Sequence, residues 1–323
     1  MTRFLEFRMA QSPDLRGSNR FNPWGDWLSI GSTTPVEYID AVYFAYSASL
    51  MSQMANAIGK PAEAKRYGDL ASRIRERFCA DYLNADGTLR VETQTAYALA
   101  LAHEMVPGSE RAAAARLARM ISENQYRMTT GFLGTYPLLP VLSDYGHHDL
   151  AVRLFQSRRF PSWGYEVENG ATTIWERWNS YTKDTGFFAP AMNSYSHYAF
   201  GAVSEWMFYR LAGIRAAKPG YEEITICPEP PPPSSNPEQK PIDWVNASYR
   251  SIRGTISVRW KREGSAFTLS ICIPPNTEAT VVLPARDAAS VSEGGKPVRI
   301  DSFEHGNASV RVASGTYHFR SEM

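Results

Sequence analysis

The sequence predicts an α+β multidomain fold, in which a series of antiparallel helix hairpins, compatible with part of an (α/α) toroid, is followed by an antiparallel β-sandwich. Three observations predict it. Apolar residues recur at three- and four-residue steps from about Thr34 to Gly213, a proline run spans Cys227-Pro-Glu-Pro-Pro-Pro-Pro-Ser-Ser-Asn-Pro237, and beyond that run apolar residues alternate with polar ones. The change of period divides the chain into domains at 1–215 and 216–323. With 323 residues, 43% of them hydrophobic, each part can bury a core of its own.

The elements follow in order. Thr34-Pro35-Val36-Glu37 reads as a helix start, with a threonine cap, a proline in the first turn and a glutamate closing a capping box. This helix runs to Gly59, and a second one begins at Pro61 with Tyr67, Leu70, Ile74 and Phe78 along one face, so the two make a hairpin. The same rhythm returns over 94–105, 109–124, 131–143, 149–156 and 198–211, the last carrying Ala199, Ala202, Val203 and Trp206 on one side. That makes seven or eight helices. The proline run suits neither a helix nor a central strand and reads as a linker or long loop. After it, strands are marked by Ile256, Val258 and Trp260, by Phe267, Leu269, Ile271 and Ile273, by Val310 and Val312, and by Tyr317 and Phe319. Glu263-Gly264, Gly294-Gly295 and Ser314-Gly315 supply the turns.

Charge and composition narrow the partners. The chain holds 34 basic and 33 acidic residues, so no net field draws it to nucleic acid or to an anionic membrane, and a neutral partner is expected. No window approaches the ~18 uninterrupted apolar residues of a membrane helix. The charged start, Met1-Thr-Arg-Phe-Leu-Glu-Phe-Arg8, lacks the apolar run of a signal peptide, which implies a cytoplasmic chain. Cys79, Cys227 and Cys272 are odd in number and far apart, a pattern of buried thiols rather than of a disulfide framework or zinc site. Without a glycine-rich phosphate loop, a metal-ligand spacing or a GxSxG elbow, no cofactor and no nucleophilic serine are expected.

Candidate chemistry concentrates in Gly170-Ala-Thr-Thr-Ile-Trp-Glu-Arg-Trp178, where Glu176 stands between two tryptophans and beside Arg177. Trp163, Glu166 and Glu168 precede it; Tyr181, Asp184, Tyr195 and His197 follow. Indole faces hold a pyranose ring through its C–H surface while a carboxylate moves protons, so this mixture suits a sugar-processing site. Taken alone, the residues fit a second description equally well. Trp175 and Trp178 would then be core, Glu176 a solvated or paired acid, Trp24 and Trp27 core anchors, and His197 a structural hydrogen-bond former. Asp26, Gln94 and Arg177 would be partners of the loops around them.

Five segments together carry more. Trp24-Gly-Asp-Trp-Leu-Ser29, Thr93-Gln-Thr-Ala-Tyr-Ala-Leu99, Trp163-Gly-Tyr165, Gly170–Trp178 and Asn193-Ser-Tyr-Ser-His-Tyr-Ala-Phe-Gly-Ala202 resemble, in the same order, signatures of the bacterial α-L-rhamnosidases of glycoside hydrolase family 78. Trp244-Val-Asn-Ala-Ser-Tyr249, Gly254-Thr-Ile256 and Ile273-Pro-Pro-Asn-Thr277 resemble the β-sandwich that closes those enzymes. The likeness runs from Asn22 to Phe319. It implies a partial (α/α)6 toroid and inverting hydrolysis of a terminal α-L-rhamnoside, with one carboxylic acid protonating the leaving oxygen and one carboxylate activating water ~6.5–9.5 Å away. On that pattern Glu176 is the general base, His197 bonds the sugar or orients the site, and Trp27 walls the ring and its methyl group. Asp26, Trp163, Trp175, Arg177 and Trp178 join the substrate-binding set, and the partner is a rhamnose-containing glycan or glycoside.

One departure stands at the front. The family's general acid lies in an Asp-rich motif well upstream of the Gly-Asp-Trp-Leu segment, whereas the 21 residues before Asn22 hold Glu6 and Asp14 without that spacing. A complete six-hairpin toroid also needs about twelve helices, so the first hairpins and the acid are expected to be missing. Weak catalysis follows, together with dimerisation or association with an upstream fragment through an exposed helical edge. Three readings stay open: a family member with half a site, a noncatalytic carbohydrate-binding protein, and a related toroid enzyme acting on another sugar.

Overall fold

The computed structural model describes residues 1–20, 23–233 and 239–323. They form two compact units, Met1–Gly201 and Ala202–Met323.

The first unit is helical. α1 (Thr2–Gln11) is followed by α2 (Val36–Ala57), α3 (Pro61–Tyr82), α4 (Gln94–Ala102), α5 (Glu110–Glu123), α6 (Phe132–Asp144), α7 (His148–Phe155) and α8 (Trp163–Glu168). Pairs α2/α3, α4/α5 and α6/α7 are hairpins, and burial sorts them into two layers. Every residue of α4 from Gln94 to Leu101 is buried, and α2 and α6 are apolar around most of their surfaces, as inner helices must be. In contrast, α3, α5 and α7 bury one stripe each: Tyr67, Leu70, Ile74 and Phe78 in α3, and Ala113, Leu117 and Ile121 in α5. An inner and an outer layer of alternating helices is the layout of an (α/α) toroid.

The N-termini of the inner helices meet at one end. Thr34, just ahead of α2, shares a 2.6 Å hydroxyl contact with Thr93, whose oxygen caps α4 by accepting from the Ala96 N–H. The expected threonine cap on α2 is therefore corrected: Pro35 occupies the cap position without a side-chain bond, because the Thr34 hydroxyl is turned toward α4. Gly59 does end α2, at φ +70°, and Pro61 opens α3. The sequence pattern does not foresee α1, α8 or the short antiparallel hairpin of β1 (Tyr181–Thr182) and β2 (Gly186–Phe187) that follows α8. Residues 198–211, expected as one helix, hold from Ala199 a chain of 3₁₀, α (α9, Val203–Trp206) and π turns.

In the second unit α9 leads into a β-sandwich. One sheet has strand order β10-β9-β13-β7-β6-β5 and the other β11-β12-β8-β4-β3, with β3 at Ile214–Ala216, β4 at Glu223–Ile226, β5 at Trp244–Ser251, β6 at Gly254–Glu263, β7 at Ala266–Ile273, β8 at Glu278–Pro284, β9 at Ser292–Glu293, β10 at Lys296–Pro297, β11 at Ser302–Glu304, β12 at Asn307–Val312 and β13 at Gly315–Glu322. The inward residues of β6 and β7, including Trp260, Phe267 and Ile271, are buried as the alternation requires. Three expectations change. β4 and β8 pair in parallel, so the sandwich is not wholly antiparallel. β3 and β4 precede the proline run, so the run is the long loop of its two readings and connects strands inside this unit, whereas the division expected at 215/216 falls within β3; Ser234–Glu238, which include the end of the run, lie outside the described residues. The three cysteines are half-buried, not buried. Among the described residues no helix is long and apolar enough to cross a membrane.

Trp260 is the largest inward side chain of the sandwich, and its indole N–H donates to the Leu211 carbonyl at 2.6 Å. Trp260→Ala is expected to lower unfolding stability by ~3–5 kcal/mol, from lost burial and an orphaned carbonyl. Denaturant titration checks this; a loss under about 1 kcal/mol would contradict the central place given to this ring.

Candidate active site

The site is built outward from Asp26. This residue sits in a turn between Gly25 and Leu28, both at positive φ, which buries its carboxylate and aims it at the start of α6. One oxygen accepts from the Thr95 hydroxyl and the Gly131 N–H (2.7 Å), the other from the N–H groups of Leu133 (2.8 Å) and Gly134 (3.1 Å). Three of those donors are N–H groups at an α-helix start that helical bonding leaves unsatisfied, and the anion also faces the positive end of the helix dipole. Burial pushes the Asp26 pKa above the ordinary carboxylate range, and the four donors pull against that shift.

The fit leaves no room at two positions. A Cβ on Gly131 would stand 2.1 Å from the Trp27 carbonyl oxygen, and one on Gly134 would stand 2.4 Å from the Thr95 hydroxyl. Gly131 lets the turn lie directly on α6, where the Phe132 N–H donates to the Trp27 carbonyl at 3.0 Å, and Gly134 lets Thr95 of α4 come close to the same helix start. The Trp27 ring, half-buried, meets Trp24 edge to face at 5.2 Å.

Phe132 also carries the other side of the site. Its ring lies against the His197 imidazole (4.8 Å, 33°) and edge-on to Phe200 (5.2 Å). Through the backbone His197 is joined to the Glu176 segment: the His197 N–H donates to the Ile174 carbonyl and the Glu176 N–H to the Ser194 carbonyl, each at 2.9 Å, while the Thr173 hydroxyl bonds the Tyr195 carbonyl. On this stretch of bends and turns Trp175 is buried and Glu176 is half-exposed. Among the described residues the Glu176 carboxylate has no hydrogen-bonding or ion-pair partner. The Ala199 N–H donates to His197 Nδ1 at 3.3 Å, which leaves the ring hydrogen of the neutral imidazole on Nε2 as an available donor.

Trp27 and His197 thus meet the first residue of α6 from two sides, and backbone bonds tie the Glu176 segment to the His197 segment. The remaining candidates stand behind them. Trp178 is buried, stacked on Phe200 at 3.8 Å and edge-on to Trp163 at 5.3 Å; the Trp163 N–H donates to the Phe200 carbonyl; Trp175 is buried with its edge toward Tyr195. Three expected sugar-contacting indoles are therefore supports, because their faces are already covered by protein. Asp26 is corrected in the same way, since all its bonds go to the chain. The Arg177 guanidinium lies over Phe188, 4.3 Å from the ring centroid, and not against Glu176. Gln94 ties the Arg127 carbonyl to the Thr129 N–H and is structural. Glu6 and Asp14 stand in exposed ion pairs with Arg66 and Arg16.

Two family models cover nearly the whole chain: the bacterial α-L-rhamnosidase six-hairpin glycosidase domain matches residues 1–211 and the bacterial α-L-rhamnosidase C-terminal domain matches 213–297. The chain belongs to the bacterial α-L-rhamnosidase family. An α-L-rhamnosidase of Streptomyces avermitilis is 42% identical over 92% of the chain, and one of Formosa agariphila is 32% identical over all of it. A crystal structure of the Streptomyces avermitilis α-L-rhamnosidase complexed with L-rhamnose superposes with a TM-score of 0.88 at 40% identity over 98% of the chain, and an α-L-rhamnosidase from Dictyoglumus thermophilum with 0.87 at 28% identity over 100% of it. The chain spans about a third of the length of these relatives, 28% and 35% of the two proteins and 30% and 36% of the two structures.

Sequence reasoning missed several parts of this rhamnosidase-family site. Phe132 was read only as part of a helix, though Gly131-x-x-Gly134 before an apolar run signals close backbone approach. Ser180, Asn193 and Tyr195 interlock through side-chain and carbonyl bonds of 2.5–3.1 Å and stiffen the loop after Glu176. Glu168 pairs with Arg158, whereas Glu166 is only 2% exposed and its Oε1 has no partner. Burial alone pushes the Glu166 pKa up to about 8.

Two outcomes follow. Asp26→Ala strands four buried donors and is expected to cost ~2–4 kcal/mol in denaturant titration, with the Trp27 turn loosened; unchanged stability would contradict its placement. For Glu166 the native state keeps a proton that the unfolded chain sheds above about pH 4.5, so stability falls as pH rises from there to about 8. Glu166→Gln should flatten that decline and gain on the order of a few kcal/mol over the wild type at pH 8. Parallel stability curves for the two proteins from pH 5 to 8 would refute it.

Proposed function

We propose that this chain supplies the water-activating half of an α-L-rhamnosidase site, with Glu176 as general base toward a rhamnose-bearing glycan or glycoside. The observation that carries the reading is a half-exposed, unpartnered carboxylate held by backbone bonds next to His197, in a chain of the α-L-rhamnosidase family. A carboxylate free of protein partners is able to take a proton from water. His197 Nε2–H would donate to a sugar hydroxyl, and the half-exposed Trp27 ring would lie against the C–H face of the deoxyhexose. The general acid is unassigned among the described residues, so turnover should depend strongly on the leaving group. Association of copies through an exposed helical edge belongs to the same proposal, with light scattering as its measurement; a monomer at high concentration would remove it.

The test is steady-state kinetics on an aryl and an alkyl α-L-rhamnoside. The aryl substrate, which needs little protonation, should be turned over and the alkyl one scarcely. Glu176→Gln should lower kcat on the aryl substrate by ~10²–10⁴-fold with KM nearly unchanged, while Trp27→Ala and His197→Ala should act mainly on KM. A Glu176→Gln protein as fast as the wild type would overturn the assignment, and equal rates on the two substrates would refute an unfilled acid position. L-rhamnose binding without turnover on either substrate would favour a carbohydrate-binding protein over an enzyme.

A further inference from the structure

The helical unit carries a concave feature away from the start of α6. A cavity of about 940 Å³ lies where the α4–α5 connection meets α3 and the end of α6, lined by Arg75, Glu104, Glu110, Arg111, Asp144 and Tyr145. Asp144 is the last residue of α6, and Asp26 grips the first turn of that helix; at ~1.5 Å per residue the two ends are ~20 Å apart. The cavity therefore opens at the opposite end of the helix layer from Trp27 and His197.

Its lining selects among ligands. Two guanidinium groups face three carboxylates, so an anion such as a phosphate meets more repulsion than attraction. The carboxylates do not converge either, since among the described residues no group of three His, Cys, Asp or Glu side chains is arranged to hold a metal ion. Interleaved donors and acceptors suit hydroxyl groups, each of which gives a hydrogen bond to a carboxylate and takes one from a guanidinium. Arg75 has donor capacity to spare: its Nε is buried with no partner, and its Nη2 reaches Glu104 only at 3.4 Å. Tyr145 adds a half-buried ring, and burial together with Glu110 and Glu104 keeps its hydroxyl protonated as a further donor. The volume is in the range of ligand clefts, roughly 300–1,000 Å³.

We infer that this cavity is a second carbohydrate-binding site, taking a neutral, hydroxyl-rich saccharide segment away from the Glu176 centre. It rests on the proposed function only for the choice of sugars, since the glycan that reaches Glu176 is the nearest source of such a segment.

The experiment uses the full chain and three neutral probes, linear rhamnotriose, galactotriose and xylotriose, in titration calorimetry and saturation-transfer difference spectra. At least one probe should bind Trp27→Ala, in which the Glu176 centre is impaired, and that binding should weaken tenfold or more on adding Arg75→Ala or Arg111→Ala. Arg111 is exposed, so its variant keeps the test decisive if Arg75→Ala disturbs folding, and thermal unfolding of each variant is the control. Turnover of an aryl rhamnoside, if the chain has it, should survive Arg111→Ala. The inference is overturned if no probe binds Trp27→Ala, or if binding is indifferent to both arginines. Loss of turnover in Glu176→Gln reads the catalytic proposal separately, so either can fail without the other.

Discussion

The buried carboxylate of Asp26 is the constraint on which the rest of the helical unit's working end depends. Placing an anion out of water is costly, and here the cost is met by four donors drawn from α4 and the first turn of α6. That bond set makes two inner helices and the Trp27 turn one object. It also explains why Gly131 and Gly134 carry no side chains: a Cβ on Gly131 would push the turn off α6, and one on Gly134 would run into Thr95 of α4. The position of Phe132, and through it of His197, follows from the same junction.

Around this rigid end the chain from Gly170 to Phe200 is irregular, and the irregularity has a physical use. A helix would have put Trp175, Glu176 and Trp178 around a cylinder; a backbone of bends and turns instead buries Trp175 and Trp178 and leaves Glu176 between them half-exposed. Beyond the short hairpin of Tyr181–Thr182 with Gly186–Phe187, the stretch is held by two means. An indole and phenyl core of Trp163, Trp178 and Phe200 anchors it from below, and the Ser180, Asn193 and Tyr195 bonds lock the following loop. The proposed role of Glu176 in proton transfer rests on this arrangement, a solvent-reaching carboxylate on a tightly backed segment.

Period and punctuation made most of the architecture legible. Tyr67, Leu70, Ile74 and Phe78 announced an outer helix because a one-sided stripe must be buried; Gly59 and Pro61 marked a turn for conformational reasons local to those residues; Ile256, Val258 and Trp260 announced a strand through strict alternation. Less legible were elements whose form depends on distant partners. α1 has a weak stripe and is secured through Arg8 and Asp40, 32 residues away. The Thr34 cap failed because a second helix competed for its hydroxyl, and β3 and β4 escaped notice because two short strands become a sheet only when β8 lies beside them.

The division is sharpest at the site. By itself the sequence determined the family, the helix hairpins, the sandwich and the identity of Glu176, His197 and Trp27 as candidates, since each follows from residue type, local spacing or ordered motifs. Which aromatic and acidic residues face outward was decided only by tertiary structure. Asp26, Trp163, Trp175 and Trp178 look as suitable for a sugar as Trp27 does, yet packing against α4, α6 and Phe200 uses up their oxygens and ring faces. Burial is a property of the whole assembled chain, and no local pattern encodes which of several equivalent side chains the fold will cover.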